Sequence, residues 1–237
     1  MGTMCNNKEW IEMSNNIKTY AVTLTGATPL LMHKDDVDWS DEMERWKLRA
    51  AQTKGLSKAG DDRTPAWRWI GCLYSDEGVL TIPADNITSC LKEAGAAFLV
   101  PGGNSKKTFK EQTQSGMSCA EMGWPILIDG KTVPMAPITK LMDNDNFMHH
   151  RTEVADMGFS LFVKRAKIGQ SKHVRVRPRF NRWSASGTVL VWDAQLTEAV
   201  LRDIFTFAGN RKGLGDWRPS SPKSGQFGRF TVDINAV

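Results

Sequence analysis

An α+β fold is predicted for this 237-residue chain by three observations. Segments of strand period and segments of helix period are interspersed without a recurring βα unit, which argues against a doubly wound sheet. No internal repeat of fixed period and no low-complexity tract occurs. With 41% hydrophobic and 24% charged residues the chain can bury a sizeable core, so we expect one domain over 1–237 with an insertion around 101–158.

After a polar leader, Ile17 to Leu24 alternates apolar and polar residues, many of them β-branched, and Gly26 to Pro29 closes it as a half-buried strand. Ser40 is placed to cap a helix over 41–54, whose acids lead and bases follow as the helix dipole prefers. Met43, Trp46 and Ala50 share one face of it. Residues 56–65 read as loop, Trp67 to Leu73 as an apolar segment of either kind, and 79–83 as a strand after a turn at Asp76 to Gly78. Pro83 to Phe98 places Ile87, Leu91, Ala94 and Phe98 at helical spacing ahead of Pro101-Gly102-Gly103. Residues 104–139 read as an inserted hairpin region with a strand at 124–128 and an Asp129-Gly130 turn, and 140–158 as mainly loop. Strands return at 160–168, 174–180 and 187–192. Asp193 then caps a helix carrying Leu196, Val200, Ile204 and Phe207, Gly209 stops it, and a glycine-punctuated loop leads to a last strand at 227–234.

Composition excludes several classes. No run of about 18 apolar residues occurs and the start is polar, so we expect neither a membrane span nor a secretory signal, and a cytoplasmic location. Cys5, Cys72, Cys90 and Cys119 are widely spaced without a CxxC pair, which reads as reduced thiols rather than a zinc site. GxSxG, HExxH and Walker A sequences are missing.

The positive charge is concentrated. Between Asp156 and Asp193 there is no acid, while Lys164, Arg165, Lys167, Lys172, Arg175, Arg177, Arg179 and Arg182 supply +8 against a net charge of +5, leaving −3 for the rest. A polyanion is the natural partner. Along 174–180, alternation puts the valines on one face and Arg175, Arg177 and Arg179 on the other at ~7 Å intervals, close to a phosphate spacing. Phe180, Trp183 and Trp192 are the candidate stacking platforms for a single strand. A second basic constellation surrounds the glycines of 213–228, with Arg211, Lys212, Trp217, Arg218, Lys223 and Arg229. It follows a helix rather than opening one, so it is no P-loop, and it equally suits a tight crossover that packs Trp217 and Phe230 into the core.

The strand ending in TPLLMH (28–33), the IPADNI helix start (82–87), the basic VRVRPRF strand and the closing GLGDWRPS…GQFGRFTV together resemble uncharacterised phage-encoded proteins. More remotely, the glycine-rich loop ahead of a GRF strand is similar to that of the RAMP superfamily, whose RRM-like members form the RNA-binding backbone of CRISPR effector complexes. The resemblance implies an RRM/ferredoxin-like core with inserted hairpin and loop regions, and subunits laid head to tail along one strand. No RNP aromatic motif is present, which leaves open the sheet face that meets the strand. Some RAMP backbone proteins cut RNA with an aspartate in a loop corresponding to Asp35, Asp36 and Asp38; acids just ahead of a helix are also expected from its dipole alone. His33 beside them, and His149-His150 in a loop near Asp143 and Asp145, are further candidate ligands or bases, and equally ordinary surface histidines.

The expectation is therefore a homo-oligomeric protein without catalysis, cofactor or metal that binds single-stranded RNA or DNA. The contacts would come from the Lys164 to Arg182 strands with Trp183, and from Lys212, Trp217, Arg218 and Arg229. The alternatives are a metal-dependent endoribonuclease using Asp35 or Asp36, and an adaptor whose basic stripe meets an acidic protein.

Overall fold

The computed structural model describes residues 17–54, 65–102, 106–168 and 171–237; the side chains of 50–54, 165–168 and 171–173, those of Arg165, Lys167 and Lys172 among them, lie outside the description. Of the loop expected at 56–65, Pro65 alone falls within it.

The first expected strand forms β1 (Lys18–Gly26), whose period of two buries Tyr20, Val22 and Leu24 on one side. A two-residue β2 (Leu30–Leu31) follows, then helix α1 (Val37–Lys54). This helix begins ahead of the expected start because Asp36, not Ser40, supplies the cap. Asp36 Oδ1 accepts the Trp39 N–H at 3.4 Å, while the Ser40 hydroxyl donates back to the Asp36 carbonyl at 3.0 Å. The ambiguous apolar segment is a 3₁₀ turn (Ala66–Cys72) that buries Trp67, Trp69 and Ile70. Glu77 and Gly78, both at positive φ, turn β3 (Ser75–Asp76) into β4 (Val79–Pro83), as a two-residue hairpin requires. Helix α2 (Ala84–Gly95) buries Ile87, Leu91 and Ala94, the face expected from their spacing.

The region expected as insertion and loop is more ordered than its polarity indicates. It contains α3 (Lys110–Ser115), β5 (Met117–Cys119), β6 (Gly123–Ile128), β7 (Lys131–Thr132), α4 (Met135–Lys140) and α5 (Phe147–Asp156). The loop expected at 140–158 is corrected to helix over Phe147–Asp156. Asn146 caps α5 by accepting from the Met148 and His149 N–H groups, and Val154 and His150 are buried beneath it. Strands β8 (Ser160–Ile168), β9 (Ser171–Phe180) and β10 (Ser184–Val191) stand where expected. Helix α6 (Glu198–Phe207) is capped by Thr197, whose hydroxyl accepts the Val200 N–H; Asp193 instead closes a local turn onto the Gln195 N–H. A π-helical turn (Ala208–Lys212) and the glycine-rich loop then lead to β11 (Phe230–Ala236).

All described strand pairs are antiparallel. The larger sheet runs β11-β1-β10-β6-β4-β3, with β5 beside β10 and β7 beside β6, so β6 belongs to the main sheet although it comes from the expected insertion. The smaller sheet is β2-β9-β8. One core cluster joins Tyr20, Val22 and Leu24 of β1 to Ile87 and Leu91 of α2 and Leu201, Ile204 and Phe205 of α6. On the opposite face, register aligns Ala21, Thr23 and Thr25 of β1 with Thr188, Ser186 and Ser184 of β10 and Asn235, Asp233 and Thr231 of β11. None of these nine is buried, and they include no aromatic and no basic side chain.

Candidate nucleic-acid interface

The β8–β9 hairpin concentrates the basic residues, and its register decides which of them share a face. Ser160 stands opposite Arg179, Phe162 opposite Arg177 and Lys164 opposite Arg175, so these six point to one side. Lys164 and Arg175 are like charges directly across from each other, an arrangement that costs stability unless something anionic lies over it.

The three arginines do not form the uniform solvent-facing stripe expected from alternation. Arg177 is 6% exposed, and its Nε donates to Asp216 Oδ2 at 3.1 Å while Nη1 donates to the Val176 carbonyl at 3.3 Å and to Cys72 Sγ at 3.6 Å. The glycine-rich loop has folded over the strand and supplied a carboxylate. Two backbone features hold that loop in place: the Asp216 N–H donates to the Leu31 carbonyl at 2.9 Å, and Gly215 passes so close that a Cβ would stand 2.2 Å from the same oxygen. Its φ of +75° also disfavours any other residue. Trp217 follows in the left-handed region at φ +49°.

This fold-over builds an aromatic cluster on the basic face. Phe162 packs edge-on to Trp217 with ring centroids 5.9 Å apart and against Phe227 at 5.4 Å. Lys164 Nζ lies 4.0 Å over the Trp217 ring, and the Arg179 guanidinium lies 5.6 Å from the Phe162 ring centre. All three rings are half-buried. Among the described residues, Lys164, Arg175 and Arg179 form no ion pair with a carboxylate.

The other expected contacts divide. Trp183 is corrected from a stacking platform to a core residue: it is 4% exposed, its indole N–H donates to the Thr28 carbonyl at 2.9 Å, and its ring occupies the space left by Gly26. Phe180 is fully buried, and Trp192 ties β10 to Ser115, away from the hairpin. Arg182 pairs with Asp129 at 3.4 Å on the surface. Arg218 is engaged within its own loop, donating to Ser220 Oγ and the Gly215 carbonyl, and lies 3.7 Å from Glu93. Lys212 is half-buried and its carbonyl accepts the Ser220 N–H. Arg229 uses its backbone to receive the Ala27 and Thr28 N–H groups, while its buried Nε has no partner among the described residues. Phe230 packs in the core as the crossover reading expects, but Trp217 does not. Phe162 and Phe227 were not among the expected platforms; the cross-strand register that sets Phe162 beside Arg177 is the signal for the first.

His33 lies between two clefts. One of about 700 Å³ separates α1 from β9, and one of about 220 Å³ lies beside Gly213 to Asp216. Its Nδ1 is 3.9 Å from Asp216 and its Nε2 is 3.7 Å from Asp35. Burial pushes the imidazole below its ordinary value and Arg177 adds to this, while Asp216 and Asp35 oppose it. The hydrogen bond from Lys34 holds the Asp36 carboxyl below its usual range. Among the described residues no group of three or more His, Cys, Asp and Glu side chains is disposed to hold a metal ion.

His149 and His150 lie on α5 rather than in a loop. His149 is 3.8 Å from Glu153, whereas His150 is fully buried: its Nδ1 accepts the Trp69 indole N–H at 3.0 Å, and its Nε2–H is left to donate to the Asn144 carbonyl at 2.6 Å. Cys72, Cys90 and Cys119 are free thiols; burial pushes Cys90 up to about 12 and Cys119 up to about 11. Cys5 lies outside the described residues. No described helix is long and apolar enough to cross a membrane. Compared with known proteins, the chain matches no family model and no curated protein.

Proposed function

We propose that this chain is a non-catalytic, cytoplasmic, single-stranded nucleic-acid-binding protein that takes up RNA or DNA over the face joining β8 and β9 to the glycine-rich loop. The observation that carries this reading is the half-buried Phe162, Trp217 and Phe227 cluster with Lys164 and Arg179 set against its rings and lacking carboxylate partners. Aromatic faces that accept any base, beside cations that accept phosphate, suit a single strand. The open side of the main sheet, lined by threonine and serine, offers neither.

The order β11-β1-β10-β6, with α2 and α6 as crossings on the buried face, supports an RRM-like core. The strand-binding surface then lies on the added hairpin and loop instead of on the sheet. A remote relation to the RAMP superfamily, phage origin and homo-oligomeric assembly along the strand belong to the same proposal.

The test is fluorescence anisotropy with labelled single-stranded RNA and DNA. Trp217→Ala should weaken binding by about 1–3 kcal/mol if one base stacks there. The double reversal Lys164→Glu/Arg179→Glu should weaken it at least as much. Unchanged affinity in both variants, each with a native circular dichroism spectrum, would overturn the reading.

A further inference from the structure

One wall of the larger cleft is formed by α1 residues between Val37 and Lys47. Trp39 anchors α1: its indole N–H donates to the Arg68 carbonyl at 3.1 Å and its ring stands edge-on to Trp67 at 5.4 Å. The ring also fills the space beside Gly71, where a Cβ would stand 1.9 Å away. Met43 and Trp46 also pack partly against the core, Leu48 is 65% exposed, and the cleft beside the helix is about 700 Å³ in volume. Volumes of this order hold small organic molecules.

Val37, Trp39 and Met43 line the helix side together with Ser40, Glu44 and Lys47, and Val174, Arg175 and Arg177 line the strand side. Trp39 and Met43, one turn apart on α1, face Val174 and Arg175 of β9. The acids there are nearly all matched locally: Asp36 by Lys34 at 2.7 Å, Glu44 by Lys47, and Asp216 behind the cleft by Arg177 at 3.1 Å. Asp35 is 99% exposed, with the His33 ring 3.7 Å away. Arg175 lines the cleft and has no ion pair among the described residues. The Trp39 and Met43 side chains, facing a guanidinium without a carboxylate partner, fit a compact ligand with a flat apolar body and a phosphate group.

We propose that this cleft binds a nucleoside 5′-monophosphate, with the phosphate on Arg175 and the base against Trp39 and Met43. It adjoins the aromatic face of β8–β9, where Arg175 stands opposite Lys164, and it holds one nucleotide, either free or at the 5′ end of a strand.

Isothermal titration of the full chain with AMP, UMP, adenosine and inorganic phosphate tests it. A monophosphate should bind about tenfold or more tighter than adenosine or phosphate alone. Arg175→Ala should lose about tenfold in AMP affinity. Met43→Glu, checked for a native circular dichroism spectrum because Met43 packs partly against the core, should lose a similar factor while Met43→Leu keeps the affinity. A preference for a 5′-phosphorylated over a 5′-hydroxyl oligonucleotide that disappears in Arg175→Ala assigns the site to strand ends, and equal binding of the two assigns it to the free nucleotide. AMP binding no tighter than inorganic phosphate, or indifferent to both Arg175→Ala and Met43→Glu, overturns the proposal. Either outcome leaves the effects of Lys164, Arg179 and Trp217 on oligonucleotide affinity untouched, so the two readings fail separately.

Discussion

Arg177 is the residue at which position in a strand and position in the molecule part company. Alternation places it beside Arg175 and Arg179, yet it is buried against Asp216 and Cys72. Removing its partner leaves a charge with poor access to water, so Asp216→Ala should cost about 2–4 kcal/mol in urea unfolding, more than an exposed ion pair is worth. Arg177→Met, which removes charge and keeps the stem, should cost less. His33 makes a second prediction. Its folded-state pKa is lowered by burial first and by Arg177 next, so the unfolded chain binds this proton more readily. Stability from this group is therefore present above the ordinary imidazole value near 6.5 and is lost as pH falls through it, levelling below the folded value. Melting temperatures of the chain and of His33→Gln should converge or cross as pH is lowered from 7.5 to 5. Parallel curves would count against it.

At the scale of elements, the glycine-rich loop depends on a close backbone approach. Gly215→Val meets both the +75° φ and the Leu31 carbonyl, and should cost about 2–4 kcal/mol or displace the loop. Either result moves Trp217 off Phe162, so oligonucleotide affinity should fall along with melting temperature. Helix α5 is tied in through His150, which joins it to the 3₁₀ turn by the Trp69 bond. His150→Phe leaves the Trp69 N–H and the Asn144 carbonyl without their partner, and about 2–4 kcal/mol of destabilisation is expected in the same unfolding assay. A change below half a kilocalorie would mean that water or a rearranged loop replaces the ring.

Across the whole molecule, the net charge of +5 is a poor guide and its distribution a better one. Binding to single strands should weaken linearly with the logarithm of salt concentration, with a slope of about −0.7 per phosphate neutralised. Replacing Lys164 and Arg179 by alanine should flatten that slope by about 1.4 if each neutralises one phosphate. The same replacement at Arg182 and Lys131, away from the aromatic cluster, should change it far less. The segments legible in the sequence were those with strong periodicity, such as β1, α2 and β8 to β10. Segments 135–156 were not, because short helices with a single buried turn carry little periodic signal and owe their order to caps and to buried His150.

Local chemistry determined the α+β class, the positions of the principal strands and the acid-free basic window, because side-chain period and charge are properties of neighbours along the chain. Which basic residues remain available was decided only by tertiary structure. The Asp216 carboxylate that neutralises Arg177 comes from a distant loop, and the Trp183 and Phe180 rings that looked suited to stacking are needed by the core. The Phe162, Trp217 and Phe227 cluster exists only because that loop crosses the hairpin. A one-dimensional pattern specifies which face a side chain takes, and the pairing of distant segments specifies what lies over that face.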